Sequence, residues 1–153
     1  PIVVSETDDM SSDLPFLLLR ASSAVNERIN AAVIAAGFPD LRPAHGLAFA
    51  RVGAAGATVT DLAEHLGITK QSASTMVAGL VEGGYLRRQP HPSDARAHLL
   101  TLTQRAVQVT RVAATEASKI HAELVVAQGH DAARTVLEQL ASWGDGAPLR
   151  PSW

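Results

Sequence analysis

Residues 58 to 103 constrain the fold more than any other stretch, because helix caps and helix stops follow one another there at short spacing. Thr58 can cap a helix, and Asp61, at the N3 position, can return the hydrogen bond. Gly67 can supply the positive φ that ends this helix, and Thr69 can cap the next one. The second helix has apolar residues three, four and seven apart, which form one buried stripe: Ala73, Met76, Val77 and Leu80. The pattern predicts a helix-turn-helix.

A β-hairpin is predicted directly after the second helix. Gly83 and Gly84 stop the helix, and residues 85–88 have the size and alternation of a short strand. Residues 89–94 contain Pro, Ser and Asp, which favour bends, and residues 96–102 form a second extended run. This hairpin would present three cations beside the helix-turn-helix: Arg87, Arg88 and Arg96. The expected fold class is therefore mainly α, a winged helix-turn-helix whose wing is a small β-hairpin.

The exposed side of the second helix has the character of a surface that faces an anion. Between Lys70 and Val81 it carries one cation and no carboxylate. An ordinary solvated helix, which is the alternative interpretation, normally carries Glu and Lys pairs. The other exposed side chains are short polar groups able to reach base edges in the DNA major groove. We therefore predict DNA contacts for five residues: Lys70, Gln71, Ser72, Ser74 and Thr75.

The charge distribution favours a nucleic-acid ligand, although the whole chain has a net charge of −2. Residues 58–111 contain six cations and four carboxylates, a net charge of +2, while the segments before and after carry −2 each. Local charge decides attraction to phosphates, because salt screens exposed charges beyond a Debye length of roughly 8 Å. The modest local charge predicts weak non-specific binding.

Three runs of residues in this region resemble the multiple-antibiotic-resistance regulator (MarR) family of winged-helix transcription factors. They are residues 59–69 (VTDLAEHLGIT), residues 80–88 (LVEGGYLRR) and residues 92–97 (PSDARA), followed by Leu102 and Thr103. The Asp-x-Arg of the wing, formed by Asp94 and Arg96, is the most specific part of the likeness. The likeness covers residues 41–111 well, and the flanking helices match in length and order only.

The resemblance implies a homodimeric transcriptional regulator, which we expect to be a repressor acting on double-stranded DNA. It implies that Arg96 reaches the minor groove and that Asp94 fixes its guanidinium. Arg87 and Arg88 would hold phosphates, and His98 is expected to make a backbone or phosphate contact.

The chain also departs from the family pattern in the residues that read DNA. Family members often carry Arg where this chain has Thr75 and Gly79, and a second wing Arg where it has Ala95. Bidentate Arg is the commonest reader of guanine. We therefore expect a site read by hydroxyls, by Gln71 and by DNA shape.

The chain has the length of one domain, and we expect a single MarR-like domain over residues 1–153. The expected divisions are a flexible tail at 1–12, dimerisation helices at 13–37 and 104–143, a DNA-binding lobe at 41–103 and a flexible tail at 144–153. The flanking helices carry excess apolar surface, which predicts a homodimer; completion of a monomer core is the alternative. A two-fold dimer would place its recognition helices about 34 Å apart, one turn of B-DNA, and so predicts a palindromic operator.

The resemblance further implies a small aromatic or anionic effector, bound in the crevice between the dimerisation helices and the DNA-binding lobe. By position we expect four residues to face this crevice: Leu17, Arg20, His45 and Phe49. The alternative for each of them is an ordinary core or surface position.

No catalytic site, metal site or cofactor is expected. No nucleophile lies at a productive spacing from a base, the six histidines form no ligand pair, and cysteine is absent. No apolar run reaches the ~18 to 20 residues of a membrane span, so we expect a cytoplasmic protein with no membrane partner. A second hypothesis is a winged-helix dimer that binds a protein or a ligand without sequence-specific DNA binding.

Overall fold

The computed structural model describes residues 13–94 and 96–147, which form six helices and one two-stranded sheet. The helices are α1 (Leu14–Ala35), α2 (Pro43–Val52), α3 (Val59–Leu66), α4 (Lys70–Glu82), α5 (Gln104–Gln128) and α6 (His130–Gly144). Strands β1 (Leu86–Pro90) and β2 (His98–Leu102) lie between α4 and α5. This order confirms the predicted mainly α, winged helix-turn-helix class. The predicted tail 1–12, Ala95 and residues 148–153 lie outside the described residues.

The caps predicted for the helix-turn-helix are present. The backbone N–H of Thr58 donates to the Asp61 carboxylate at 2.7 Å, and the N–H of Asp61 donates to the Thr58 hydroxyl at 3.1 Å. Gly67 ends α3 in the left-handed conformation with φ 62°, which glycine adopts without a steric penalty. Thr69 caps α4 by accepting a bond from the N–H of Ser72 at 3.1 Å. Local sequence signals therefore determine where both helices begin and where α3 ends.

The wing is an antiparallel hairpin in which Leu86 pairs with Leu102 and Pro90 pairs with His98. Its base is joined to the α2–α3 connection, because Ala57 and Leu100 exchange two backbone hydrogen bonds of 3.2 and 2.8 Å. A side chain at Gly56 would lie 2.9 Å from the Leu100 carbonyl oxygen, so this close approach requires glycine. The hairpin is consequently fixed to the helix-turn-helix at its base.

Two aromatic rings occupy the centre of the core. Phe49 of α2 and Tyr85 are each 1% exposed, and their ring centroids are 5.9 Å apart. Tyr85 was predicted as the first residue of a strand, but β1 begins one residue later and the Tyr85 ring points inward. Leucines from α3 and from both strands complete the packing around these rings: Leu62, Leu66, Leu86 and Leu100.

The flanking helices form a second layer in which α5 packs against both α1 and α6. Arg28 of α1 binds Glu123 of α5 through two contacts of 2.6 Å and Glu116 through one of 2.7 Å. These contacts lower the pKa of both carboxyls below their usual value. None of the helices in the described ranges has the length and apolar character that crossing a membrane requires.

Candidate nucleic-acid interface

Helix α4 turns its apolar stripe inward and its short polar side chains outward. Ala73, Val77 and Leu80 are buried, and Met76 is partly buried against the core. The five side chains predicted to contact DNA are all exposed: Lys70, Gln71, Ser72, Ser74 and Thr75. Ala78 and Gly79 continue this face, so the outer side of the helix is slim, and it carries no carboxylate from Lys70 to Val81; the exposed Glu82 follows in the last turn.

Hydrogen bonds within α4 limit which exposed groups can donate to a ligand. The Thr75 hydroxyl donates to the backbone carbonyl of Gln71 at 3.1 Å, so it has only acceptor capacity left. The Ser72 hydroxyl lies 2.9 Å from the hydroxyl of the cap residue Thr69, and either hydroxyl can donate in that contact. The side chains of Gln71 and Ser74 make no hydrogen bonds with the described residues. Among the uncharged side chains of this face, they are therefore the ones free to donate to base edges.

A cleft of about 390 Å³ separates the wing from the start of α3 and α4. The cations Lys70, Arg88 and Arg96 line it together with His98 and Asp94. Thr58, Val59, Thr60 and Ala97 complete the lining. Five of the ten predicted DNA-contact residues thus meet in one concave, mainly basic surface beside the outer face of α4.

The Asp94 carboxylate shapes the tip of the wing through the backbone. It accepts a hydrogen bond from the backbone N–H of Arg96 at 2.9 Å, and the Ala97 N–H donates to the Asp94 carbonyl at 3.1 Å. The sequence predicts that Asp94 fixes the Arg96 guanidinium; in the described residues its carboxylate instead contacts the Arg96 backbone. Asp94 therefore holds the turn from which the exposed Arg96 side chain projects.

Strand alternation separates the two neighbouring arginines of β1. Arg88 pairs with Leu100 and shares the inner face of the hairpin with Leu86. Arg87 pairs with Thr101 on the outer face and lines a second groove, next to Arg105 at the start of α5; Arg88 lines this groove as well as the cleft. The structure does not bring Arg87 to the cleft that holds Arg96.

A separate cavity of about 190 Å³ lies between α1, α2 and α5. Its walls are mainly apolar and include Val33, Leu47, Phe49, Val109 and Ala113. The polar side chains at its surface are Asn26, Asn30, Arg42 and Thr110. The sequence analysis missed this polar set, because no local pattern reveals which turns of three helices face one another.

Of the four residues predicted to face an effector, only Phe49 lines this cavity. Leu17 and Arg20 are exposed on α1, and both precede Asn26, the first residue of α1 that lines the cavity, by more than one turn. His45 lies on another side of α2, in a groove shared with Gln71 and Thr75 of α4. Its Nδ1 accepts the backbone N–H of Arg42 at 3.1 Å, and burial together with the charge of Arg42 lowers the pKa of the His45 ring.

Within residues 13–94 and 96–147, no three His, Asp or Glu side chains lie close enough together to hold a metal ion.

Comparisons with known proteins identify the fold and give a family match for the central segment of the chain. A model of the MarR family matches residues 40–97, and a search of curated proteins gives no match. The transcriptional repressor CouR, solved bound to a 23-mer DNA duplex, is 27% identical with a TM-score of 0.72, over 92% of this chain and 98% of CouR. CouR from Rhodococcus jostii RHA1 bound to p-coumaroyl-CoA matches at 24% identity and a TM-score of 0.67, over 90% of this chain and 95% of that one.

Wild-type MarR from E. coli in its apo form has the same fold, at 22% identity and a TM-score of 0.63, over 84% of this chain and 95% of MarR. The family comprises transcriptional regulators rather than enzymes. The matched segment contains the helix-turn-helix and most of the wing, and the fold agrees over the flanking helices as well. Residues 40–97 match the MarR family, and the chain has the fold of its winged helix-turn-helix, DNA-binding transcriptional regulators.

Proposed function

We propose that this chain is a cytoplasmic, homodimeric transcriptional repressor that binds a palindromic operator and is released from it by a small-molecule effector. One observation carries the proposal: Lys70, Arg88 and Arg96 meet in a single cleft beside a helix face that has no carboxylate from Lys70 to Val81. A DNA backbone is the polyanion that fits such a surface, because phosphate contacts with Lys and Arg provide most of the non-specific binding energy. Residues 41–103 would form the DNA-binding lobe.

The residues of this surface divide into those that read bases and those that hold the backbone. Gln71 and Ser74 would donate to base edges in the major groove, while Thr75 would only accept. Lys70 and Arg88 would bind phosphates from within the cleft, and His98 would do so from its edge. Arg96 would enter the flanking minor groove, and Arg87 would bind phosphate outside the cleft.

The dimer is proposed from the apolar surface of the flanking helices. Large apolar side chains at the start of α1 and along α6 are exposed by 37 to 66%, although such residues normally lie inside. They are Leu14, Phe16, Leu17, Leu18 and Leu19 on α1, and Val136, Leu137, Leu140 and Trp143 on α6. A second copy of the chain would cover both groups, which makes 13–37 and 104–143 the dimerisation segments.

The cavity between α1, α2 and α5 is the proposed effector site. Its apolar walls and its volume of about 190 Å³ suit a single aromatic ring, and Arg42, which lines it, suits a carboxylate. The cavity therefore favours a small aromatic acid. Such a ligand would release DNA only if it bound one spacing of the two lobes more tightly than the other.

Selection from a pool of random DNA duplexes tests the proposal with the full chain. We expect enrichment of a palindrome whose half-sites lie about one helical turn apart, and we expect Arg96→Ala to bind it markedly less tightly while remaining a dimer. If no duplex is enriched, the regulator proposal is wrong. The winged-helix dimer would then be better explained as a module that binds a protein or ligand.

A further inference from the structure

Tyr85 occupies the point where the DNA-binding lobe joins the long helix α5. Its backbone N–H donates to the Leu80 carbonyl of α4 at 2.8 Å. Its own carbonyl accepts bonds from the backbone N–H and the hydroxyl of Thr103, the cap of α5, at 3.0 and 3.1 Å. The main chain of this one residue thus ties the end of the recognition helix to the beginning of α5.

The Tyr85 side chain continues the connection into the rest of the molecule. Its hydroxyl donates to the Asp40 carboxylate at 2.8 Å and accepts a bond from the Arg105 guanidinium at 3.1 Å. The guanidinium carbon of Arg105 lies 4.7 Å from the Tyr85 ring centroid and 5.5 Å from that of Phe38, within the range of cation–π attraction. One arginine of α5 therefore touches the lobe at Tyr85 and the α1–α2 connection at Phe38.

Arg105 stands where a cation is unfavourable for the helix itself. It is the second residue of α5, a helix of 25 residues whose first turn contains no acidic side chain. The positive end of a helix macrodipole disfavours a cation at this position. The attraction of Arg105 to Tyr85 and Phe38 offsets this unfavourable interaction with the helix macrodipole. These two contacts therefore explain why a cation stands at this position.

We propose that Arg105 is a positioning residue for operator binding: through Tyr85 and Phe38 it fixes the orientation of the DNA-binding lobe on α5. This inference rests on the proposed function, because orientation matters only if two lobes bind one duplex. In a dimer the second half-site is bound at an effective concentration set by how well the second lobe is pre-positioned. We call the contacts of Arg105 with Tyr85 and Phe38 the joint. Loosening the joint would therefore weaken binding to two half-sites and leave binding to one half-site unchanged.

The test compares Arg105→Met with the wild-type chain on the duplex enriched by selection and on a duplex carrying one half-site. Methionine keeps most of the side-chain length and removes the charge, the hydrogen bond and the cation–π contacts. We expect affinity for the full operator to fall about tenfold and affinity for the half-site to change by less than about twofold. Arg105→Lys, which keeps the charge, is expected to recover part of the loss.

A set of operators with different distances between the half-sites supplies a measurement that simple destabilisation of the protein would not change. Inserting one base pair between the half-sites should weaken the wild type more than Arg105→Met, because a looser joint tolerates the altered separation. The matched control is Arg111→Met, also on α5, whose side chain makes no hydrogen bond or ion pair with the described residues. It should behave as the wild type on every duplex, and sedimentation should show that all variants are dimers.

Each other outcome contradicts the inference. Equal losses on the full operator and the half-site would mean that Arg105 contacts DNA or supports folding of the lobe. Unchanged binding of both duplexes would mean that the joint does not need Arg105. If the wild type enriches no duplex, the proposed function fails and the inference fails with it, whereas the first two outcomes leave the proposed function intact.

Discussion

Asp94 illustrates how a single acceptor can shape the tip of the wing. Because its carboxylate accepts the Arg96 backbone N–H at 2.9 Å, an asparagine, which also has a side-chain oxygen, can replace it. We expect Asp94→Asn to bind the operator about as tightly as the wild type. Asp94→Ala should bind it several-fold more weakly, because it loses a hydrogen bond that contributes about 1 kcal/mol. Both variants lose the same charge, so their difference in Kd isolates the hydrogen bond. Equal loss in both variants would favour an ion pair with the guanidinium in the bound state.

Lys70 is the single cation of α4 and lies in the cleft beside Arg88 and Arg96. A phosphate contact releases counterions, so Lys70→Gln should flatten the dependence of log Kd on log salt by about one unit of slope. Lys119→Gln is the matched control, because Lys119 lies on α5 and pairs with Glu116 at 3.1 Å. A salt titration in which Lys70→Gln keeps the wild-type slope would remove Lys70 from the phosphate contacts.

At the level of residues, sequence reasoning succeeded where side-chain direction follows from periodicity. The stripe of Ala73, Val77 and Leu80 fixed which residues of α4 face outward. Sequence reasoning had no such guide for Leu17, Arg20 and His45, because the surroundings of these residues depend on how α1, α2 and α5 pack. It also missed the partners of Tyr85, since Asp40 and Arg105 are 45 and 20 residues away in the chain.

Helix α3 is stabilised at its start by the Thr58–Asp61 capping box, and this contact is sensitive to acid. Bonds from the backbone N–H and the hydroxyl of Thr58 lower the pKa of Asp61 below its usual 3.8. A carboxyl with a lowered folded-state pKa stabilises the protein above the unfolded pKa, and this contribution is lost as the pH falls through the folded value. We therefore expect Asp61→Ala to lower the free energy of unfolding by about 1 kcal/mol at pH 7, and by less as the pH falls below 3.8.

Urea denaturation of the wild type and Asp61→Ala between pH 3 and pH 7 measures this difference. Glu64→Ala is the control on the same helix, because Glu64 is exposed and makes no hydrogen bond through its side chain with the described residues. A difference between the wild type and Asp61→Ala that stays constant over the whole pH range would show that the ionised carboxylate contributes nothing to the cap.

The elements predicted most closely were those with local stop and start signals. Thr58, Gly67, Thr69 and Thr103 mark helix ends in the sequence and in the structure. The strand pairing could be predicted from the turn residues. The inward position of Tyr85 could not, because a residue between a helix and a strand follows neither the helical nor the strand periodicity. Its place in the core depends on Phe38 and Phe49, which come from elsewhere in the chain.

The apolar surface of α6 makes the whole-molecule prediction of a dimer testable. Leu140 is 43% exposed and lies next to other exposed apolar residues of the same helix, Val136, Leu137 and Trp143. If a second copy covers this surface, Leu140→Glu buries an unpaired charge in the interface and should convert the dimer to a monomer. Ala54→Glu, on the exposed α2–α3 connection, adds the same charge away from α6 and should leave the dimer intact. Sedimentation velocity measures both, and a dimeric Leu140→Glu would exclude Leu140 from the interface.

A ligand in the cavity between α1, α2 and α5 would contact both layers of the molecule. A substitution at Gly46 can fill this cavity without a ligand. Gly46 lies within α2 and lines the cavity, and a Cβ built there meets no atom within 4 Å. Both Gly46→Ala and Gly46→Leu should raise the free energy of unfolding by about 1 kcal/mol, because glycine is a poor helix former. Only leucine reaches into the cavity, so only Gly46→Leu should imitate a bound effector and weaken operator binding. Thermal unfolding and operator affinity of the two variants separate the effects, since alanine reports helix propensity alone. If Gly46→Leu binds the operator as tightly as Gly46→Ala, occupancy of the cavity does not influence DNA binding, and release by an effector at this site is wrong.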